Sequence, residues 1–302
     1  MKFLVLGGTG FIGSKISKRL ADVGHNITVF SPSAGRVVFQ HDNITTVSGW
    51  IADKGEMHKQ IAEADAVLHF VSSTNPKTSF SDPHHDITSN LLPMVQLLDM
   101  MKEHPGKQLI FCSSGGAVYG TPQQFPVSED HPRHPATPYG LVKMAMEDYI
   151  QFYHQNYGIP FLILRPANVY GPKLRSIGEQ GIISTLVYNA LHNRPTTLWA
   201  NPNNIRDYIF IDDFADALMS LLSSQAEGIF NIGSGKGYSL AEIISAVQSV
   251  SGKTLQIVFQ EEKLPDEPAN VLDITKISAL SGWRPQTKLE DGINAILQQL
   301  SI

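Results

Sequence analysis

The chain has 302 residues, 42% of them hydrophobic and 17% charged, and its 28 Asp and Glu outnumber 23 Lys and Arg for a formal net charge of −5. That apolar content supplies a large core and excludes a disordered chain, while the acidic balance leaves no basic excess for binding a polynucleotide. The single cysteine, Cys112, excludes an intramolecular disulfide and a cysteine-rich zinc site, so a cytoplasmic location is expected, and no apolar run reaches the roughly 20 residues of a membrane span.

In chain order, β-rich apolar runs stand at Phe3–Leu6, Ile27–Phe30, Val67–Phe70, Gln108–Cys112, Phe161–Arg165 and Tyr208–Ile211, predicting six buried strands. The first, inside MKFLVLGGTGF, is short and glycine-broken, unlike a secretory leader. Segments of helical period separate the runs. Phe11, Ile12, Ile16, Leu20 and Val23 share one face with Lys15, Lys18 and Arg19 on another, and Leu91, Leu92, Val95 and Leu98 repeat the pattern. Pro93 belongs in a first turn, which predicts a helix start close to Leu92. Strand and helix in alternation predict an α/β fold, a doubly wound parallel sheet with helices on both faces. Past about residue 170 the alternation weakens and Pro and Gly recur irregularly, predicting a smaller irregular lobe with helices over 240–250 and 289–300 and a strand over 257–259. The stretch Pro122–Pro138 reads as a long loop of the kind that often carries function.

Gly7, Gly10 and Gly13, in LVLGGTGFIGS, follow the first predicted strand and open the first predicted helix. Glycine at these points lets the backbone turn tightly and approach a pyrophosphate, which the helix N-terminus then faces. In NAD-binding folds of this kind an acidic residue after the second strand takes the adenosine ribose hydroxyls. Ser31 stands there instead, in ITVFSPSAGR, and Ser33 and Arg36 follow it. Two readings are open: a cluster of donors around the 2′-phosphate of NADP, or a solvated loop with an incidental arginine.

Tyr139 and Lys143, in PYGLVK, lie four residues apart at the start of a helical segment running to Tyr157, which puts them on one face. A phenol is a poor base at neutral pH, but a neighbouring ammonium and an oxidised nicotinamide both favour the phenolate, making a usable general acid/base. The histidine pairs His84/His85 and His131/His134 lack metal-ligand spacing, so no metal is expected. Asp212 and Asp213 are expected to cap the helix FADALMSLL, and Met94, Met100, Met101, Met144 and Met146 to fill core.

The GxxGxxG turn, FCSSGGAVYG, the YxxxK pair, LRPANVYGP, RDYIFIDD, FNIGSG and GWRP occur in one order across nearly the whole chain. Together they resemble the extended, sugar-nucleotide-modifying branch of the short-chain dehydrogenase/reductases, the NAD-dependent epimerase/dehydratase family. The resemblance implies a dinucleotide-binding domain over 1–170, to which 206–232 returns, and a substrate-binding lobe over 171–205 and 233–302. It implies NAD as cofactor, with Phe11, Ile12, Ile51, Phe70 and Pro166 joining the three glycines, Tyr139 and Lys143 around it. It also implies a nucleoside-diphosphate sugar as substrate, with Asn168, Arg206 and Lys263 toward its phosphates, and a homodimer engaged in nucleotide-sugar metabolism for polysaccharide biosynthesis.

Two positions depart from that family's pattern. Trp50, in GWIAD, replaces an Asp, leaving Asp53 as the remaining acid, and Gly115 replaces the hydroxyl residue that holds the sugar near the tyrosine, with Ser114 the nearest substitute and Ser113 the next. The activity implied is a nucleotide-sugar 4-epimerase working through a transient 4-keto sugar, with Tyr139 as acid/base, Lys143 holding the cofactor ribose and Ser114 orienting the sugar hydroxyl. A 4-keto-sugar reductase using NADPH and a non-catalytic dinucleotide sensor are the alternatives. A 4,6-dehydratase is disfavoured because Gly116 and Ala117 stand where that subclass carries Asp-Glu.

Overall fold

A computed structural model of the chain describes residues 1–36, 39–172, 181–260 and 267–300. Its regular elements begin with β1 (Lys2–Leu6), α1 (Phe11–Asp22), β2 (Asn26–Phe30), β3 (Ile44–Val47), α2 (Lys54–Glu63) and β4 (Ala66–His69). There follow α3 (Pro76–Ser81), α4 (Pro83–Asp86), a π-helical turn over Ile87–Leu91, α5 (Leu92–Met101), β5 (Gln108–Cys112), α6 (Pro138–Tyr157), β6 (Phe161–Pro166) and β7 (Asn168–Tyr170). The remainder comprises α7 (Ile182–Leu191), β8 (Thr196–Trp199), β9 (Ile205–Phe210), α8 (Ile211–Ser223), β10 (Gly228–Ile232), β11 (Gly237–Ser239), α9 (Leu240–Ser251), β12 (Ile257–Gln260), β13 (Ala269–Asn270), α10 (Thr275–Ser281) and α11 (Leu289–Leu300). None of the described helices is long and apolar enough to cross a membrane.

The main sheet has seven strands in the order β10-β6-β5-β4-β1-β2-β3, parallel at each pair from β6 through β3. The order reverses at β1, with β2 on one side and β4 on the other, which makes the topological switch point where open α/β sheets bind ligands. β4 (AVLH) and β6 (FLILRP) are buried at every residue, as strands covered on both faces must be. One face packs Leu4, Leu6, Val67, Leu109, Phe111 and Ile163 against Met57 and Ile61 of α2, Met94, Leu97 and Leu98 of α5 and Val142, Met146 and Ile150 of α6. Alternation turns Phe3 and Val5 to the other face, and α1 packs along β1, β2 and β3.

The structure corrects the sequence reading at several elements. Tyr208–Ile211 is no strand of the main sheet: Tyr208, Ile209 and Phe210 belong to β9, the centre of a separate sheet where β9 pairs parallel with β7 and β13 and antiparallel with β11. The two edge places of the main sheet are taken by β10 and β3, both unanticipated. α5 does begin at Leu92 with Pro93 in its first turn, but it is preceded by α4 and the π turn over Ile87–Leu91, which were not anticipated. Val23 lies beyond the end of α1 and is exposed.

By its contacts the chain forms two compact units, one of residues 1–118, 135–165 and 225–230, the other of residues 119–134, 166–224 and 231–302. Within the second, α7, α9 and α11 pack together, β8 pairs with β12, and the loop strand around Val127 bridges to Leu272. Asp207 is buried there and accepts hydrogen bonds from the backbone N–H groups of Ser234, Gly235 and Leu272.

Candidate active site

The glycine turn is built as its spacing predicts. Gly7 has φ +77°, and a Cβ there would lie 3.0 Å from the Phe70 carbonyl carbon and the Val71 nitrogen, so the ends of β1 and β4 meet only because Gly7 has no side chain. A Cβ on Gly13 would overlap the Gly7 carbonyl oxygen and sit 2.8 Å from the Gly8 Cα. The Gly10 N–H closes the turn on Gly7 O at 3.0 Å, and Gly10 starts α1 with no side-chain cap. Phe11 and Ile12 form the partly exposed first turn. This is the cradle a dinucleotide pyrophosphate fits: a backbone without side chains in its way and a helix N-terminus aimed across it.

At the end of β2 the Ser31 hydroxyl is buried and lies 3.0 Å from Thr9 Oγ1 and 3.0 Å from Ser33 Oγ, while Thr9 and Ser33 are themselves 3.0 Å apart. Arg36 closes the adjoining turn of Ala34–Arg36 and is exposed. Sequence reading singled out Ser31, Ser33 and Arg36 and missed Thr9, which the glycine turn brings to them. Trp50 is exposed, Ile51 packs on the main core, and Asp53 caps α2 by accepting from Glu56 N at 3.3 Å. Phe70 extends β4 by donating its N–H to Leu6 O, and Pro166 ends β6 buried.

Tyr139 and Lys143 are placed by the start of α6. Thr137 caps the helix, accepting from Gly140 N at 3.0 Å, Pro138 occupies its first turn, and the Tyr139 N–H donates to Ser79 Oγ at 3.1 Å. One turn on, Lys143 is buried, and its Nζ donates to the Cys112 carbonyl at 2.9 Å while lying 4.8 Å from the Phe111 ring centroid and 5.8 Å from that of Tyr139. The pair is therefore assembled, with the ammonium beside the phenol ring.

The Ser72 and Ser114 hydroxyls lie beside the Tyr139 hydroxyl, and Ser72 Oγ itself donates to Thr74 O at 2.9 Å. Burial pushes its pKa well above the usual tyrosine value, the Cys112 thiol adds to that, and the two serines oppose it. Burial also lowers the Lys143 pKa, and the charges of Cys112, Glu147 and Asp86 partly offset it. Burial therefore outweighs the neighbouring hydroxyls in setting the ionisation of the phenol.

The two serines of the β5 loop separate cleanly. Ser113 Oγ donates to Glu147 Oε1, and Arg165 grips the same carboxylate through Nε at 3.1 Å and Nη2 at 2.7 Å, all buried. Ser114 lies beside the tyrosine hydroxyl and lowers its pKa. Ser72, in the loop after β4, was not recognised in the sequence, nor was the network that fixes this loop. Thr74 Oγ1 donates to Asp86 Oδ1 at 2.6 Å, Asn90 Nδ2 donates to the same oxygen at 2.9 Å, and the Ser73 N–H donates to Asn90 Oδ1 at 3.0 Å. The π turn supplies Asn90 to that network. The hydroxyl-rich run SSTNP directly after a central strand was the available signal.

In the second unit, Asn168 is exposed and its Nδ2 donates to Asp207 O at 3.0 Å, while Arg206 Nη1 donates to Ile205 O at 2.8 Å. Lys263 lies outside the described residues. Asp212 and Asp213 do not cap α8 with their side chains. They lie in its first turn, where the helix dipole favours them, and Asp213 accepts instead from the N–H groups of Gln286 and Thr287 at 3.1 and 2.9 Å. Among the described residues, no three His, Cys, Asp or Glu side chains gather as a metal site would require.

The family model described as "NAD dependent epimerase/dehydratase family" matches residues 3–233. A UDP-glucose 4-epimerase of Mycolicibacterium smegmatis is 33% identical over 302 residues, covering 97% of this chain and 96% of its own. Two solved structures cover 100% of this chain and 99% of their own. They are a UDP-glucose 4-epimerase of Thermotoga maritima with UDP-glucose, at TM-score 0.93 and 29% identity, and one of Thermus thermophilus in complex with NAD, at TM-score 0.91 and 32% identity.

Proposed function

The chain belongs to the NAD dependent epimerase/dehydratase family, and from that premise we propose that it is a nucleotide-sugar 4-epimerase, inverting C4 of a nucleoside-diphosphate sugar. The observation that carries this reading is the pair itself: buried Lys143, one helical turn from Tyr139, with its Nζ anchored on Cys112 O and 5.8 Å from the phenol ring centroid. Tyr139 Oη takes the proton of the sugar 4-hydroxyl as C4 is oxidised and gives it back after the 4-keto sugar has turned over. Ser114 orients that hydroxyl in place of the side chain that Gly115 lacks. Lys143, anchored on Cys112 O, presents its ammonium toward the cofactor ribose and the phenol. When bound, the nicotinamide supplies the hydride acceptor and donor, and its oxidised ring supplies the positive charge that draws Tyr139 toward phenolate.

In this reading the glycine cradle, Ile51, Phe70 and Pro166 hold the dinucleotide, and Asn168 and Arg206 serve the diphosphate of the sugar nucleotide, with Lys263 a third candidate. The protein works as a cytoplasmic homodimer. A reductase reading is favoured by one feature, the acid-free corner at Ser31, and would consume one NADPH per sugar. The deciding experiment is nuclear magnetic resonance of a panel of UDP- and dTDP-sugars incubated with the protein. Appearance of the C4 epimer without net loss of dinucleotide supports the epimerase, and its absence across the panel, or retention of activity by Tyr139→Phe, refutes it.

A further inference from the structure

The corner at the end of β2 has a chemistry of its own. Three hydroxyls from two segments converge at mutual distances of 3.0 Å, one of them, Ser31, almost fully buried. Thr9 comes from the glycine turn itself, so the cluster adjoins the pyrophosphate cradle, and the Ser33 N–H also points in, donating to Ser31 Oγ at 3.3 Å. The segment SPSAGR contains no carboxylate and ends in a guanidinium. A closed ring of hydroxyls satisfies itself with neutral hydrogen bonds, yet each O–H can rotate outward. Bonds to an anion are about twice as strong, so the ring opens favourably only toward negative charge. An acid at position 31 would bind bare ribose hydroxyls and repel a phosphate; the serine removes that repulsion.

We propose that Thr9, Ser31 and Ser33, with Arg36 on the adjoining turn, receive the 2′-phosphate of NADP(H), so that this chain holds NADP(H) at least as tightly as NAD(H). The proposal rests on the dinucleotide reading of the glycine turn and is independent of what sugar is turned over. Its consequence is a cofactor range wider than the NAD that gives the family its name.

The test is calorimetric titration of the protein, freed of copurified dinucleotide, with NADP+ and NAD+, and with adenosine 2′,5′-bisphosphate against 5′-AMP, which differ only by the phosphate in question. NADP+ is expected to bind as tightly as NAD+ or tighter, and the bisphosphate about tenfold tighter than AMP, the worth of one charge-assisted bond. Ser31→Asp is expected to weaken NADP+ about 100-fold while tightening NAD+, whose ribose hydroxyls the new carboxylate accepts from, and Arg36→Ala to weaken NADP+ about tenfold more than NAD+. Weaker binding of NADP+ than of NAD+ by the wild type, or variants that leave the ratio unmoved, overturns the proposal. Binding of neither dinucleotide overturns it together with the glycine-turn reading.

Discussion

Lys143 Nζ donates a hydrogen bond to the carbonyl of Cys112 at 2.9 Å, tying the first turns of α6 to the end of β5. The bond fixes a buried cation beside the Tyr139 ring and against the face of Phe111, where water cannot compete for it. Lys143→Met should therefore do two things at once. The Cys112 carbonyl loses its partner, costing about 1–3 kcal/mol of stability, and turnover falls by about two to four orders of magnitude with the ammonium gone. Urea unfolding and steady-state kinetics on the same preparation check both. A variant with full activity would remove Lys143 from the mechanism.

The hydroxyls of Ser72 and Ser114 lower the pKa of a phenol that burial raises. Either hydroxyl favours phenolate, Ser72 by turning its O–H from Thr74 O, so the acid limb of the pH–turnover profile should move to higher pH in Ser72→Ala and in Ser114→Ala. At neutral pH each loses about tenfold, the worth of a hydrogen bond to a charged group, and the double variant loses more than either. Ser72→Thr, which keeps the hydroxyl, should restore the limb. An unmoved profile in Ser72→Ala would show that its hydroxyl does not act on the phenol.

The reach of sequence reading follows from where the information lies. Tyr139, Lys143 and the three glycines are local patterns, and the capped helix and the turn that present them are local structures, so both were legible. Choosing Ser114 over Ser113 depended on Glu147, whose carboxylate claims Ser113 from 34 residues away. Ser72 meets Tyr139 only through the pairing of β4 with β5. β3 (ITTV) escaped notice because an edge strand leaves its threonines exposed and loses the apolar signature. Tyr208–Ile211 looked like a main-sheet strand because composition reports burial, and β9 is buried in a different sheet.

The buried triad of Ser113, Glu147 and Arg165 predicts an asymmetric stability response. Glu147→Gln leaves the Arg165 cation, 2% exposed, without its counter-charge and should cost about 3–5 kcal/mol in chemical denaturation. The apolar pair Glu147→Leu with Arg165→Met should recover most of that loss, because it buries no charge at all. If the double variant is as unstable as the single, the ion pair contributes more than its own desolvation and this account of it is wrong.

His69 sits wholly buried in β4, its Nδ1 without a partner, and burial together with the Lys143 charge pulls its pKa down from 6.5 to about 3. Its folded-state pKa is depressed, so between those values the unfolded chain takes up a proton that the folded chain refuses. The stability this group contributes is complete above pH 6.5 and is lost as pH falls toward 3, at about 1.4 kcal/mol per pH unit. His69→Leu should flatten the pH dependence of unfolding free energy between pH 6 and pH 4 by about that slope. Equal slopes in the two proteins would mean that His69 is solvated in the native state.

Two glycines of helical conformation should respond to alanine in opposite ways. At Gly13 a Cβ would overlap the Gly7 carbonyl oxygen, which belongs to the rigid turn and cannot step aside without displacing the N-terminus of α1. Gly13→Ala should thus cost about 1–3 kcal/mol by overpacking and weaken dinucleotide binding at least about tenfold, since the backbone donors of the cradle move with the helix. At Gly55, in the first turn of α2, a Cβ would meet only Asp53 Oδ1 at 3.8 Å. Gly55→Ala should stabilise by about 0.4–1 kcal/mol through the unfolded chain and leave dinucleotide affinity unchanged. Thermal unfolding and dinucleotide titration of the two variants separate the effects. Equal affinities in both would mean that the close packing of α1 on the turn is not what forms the cradle.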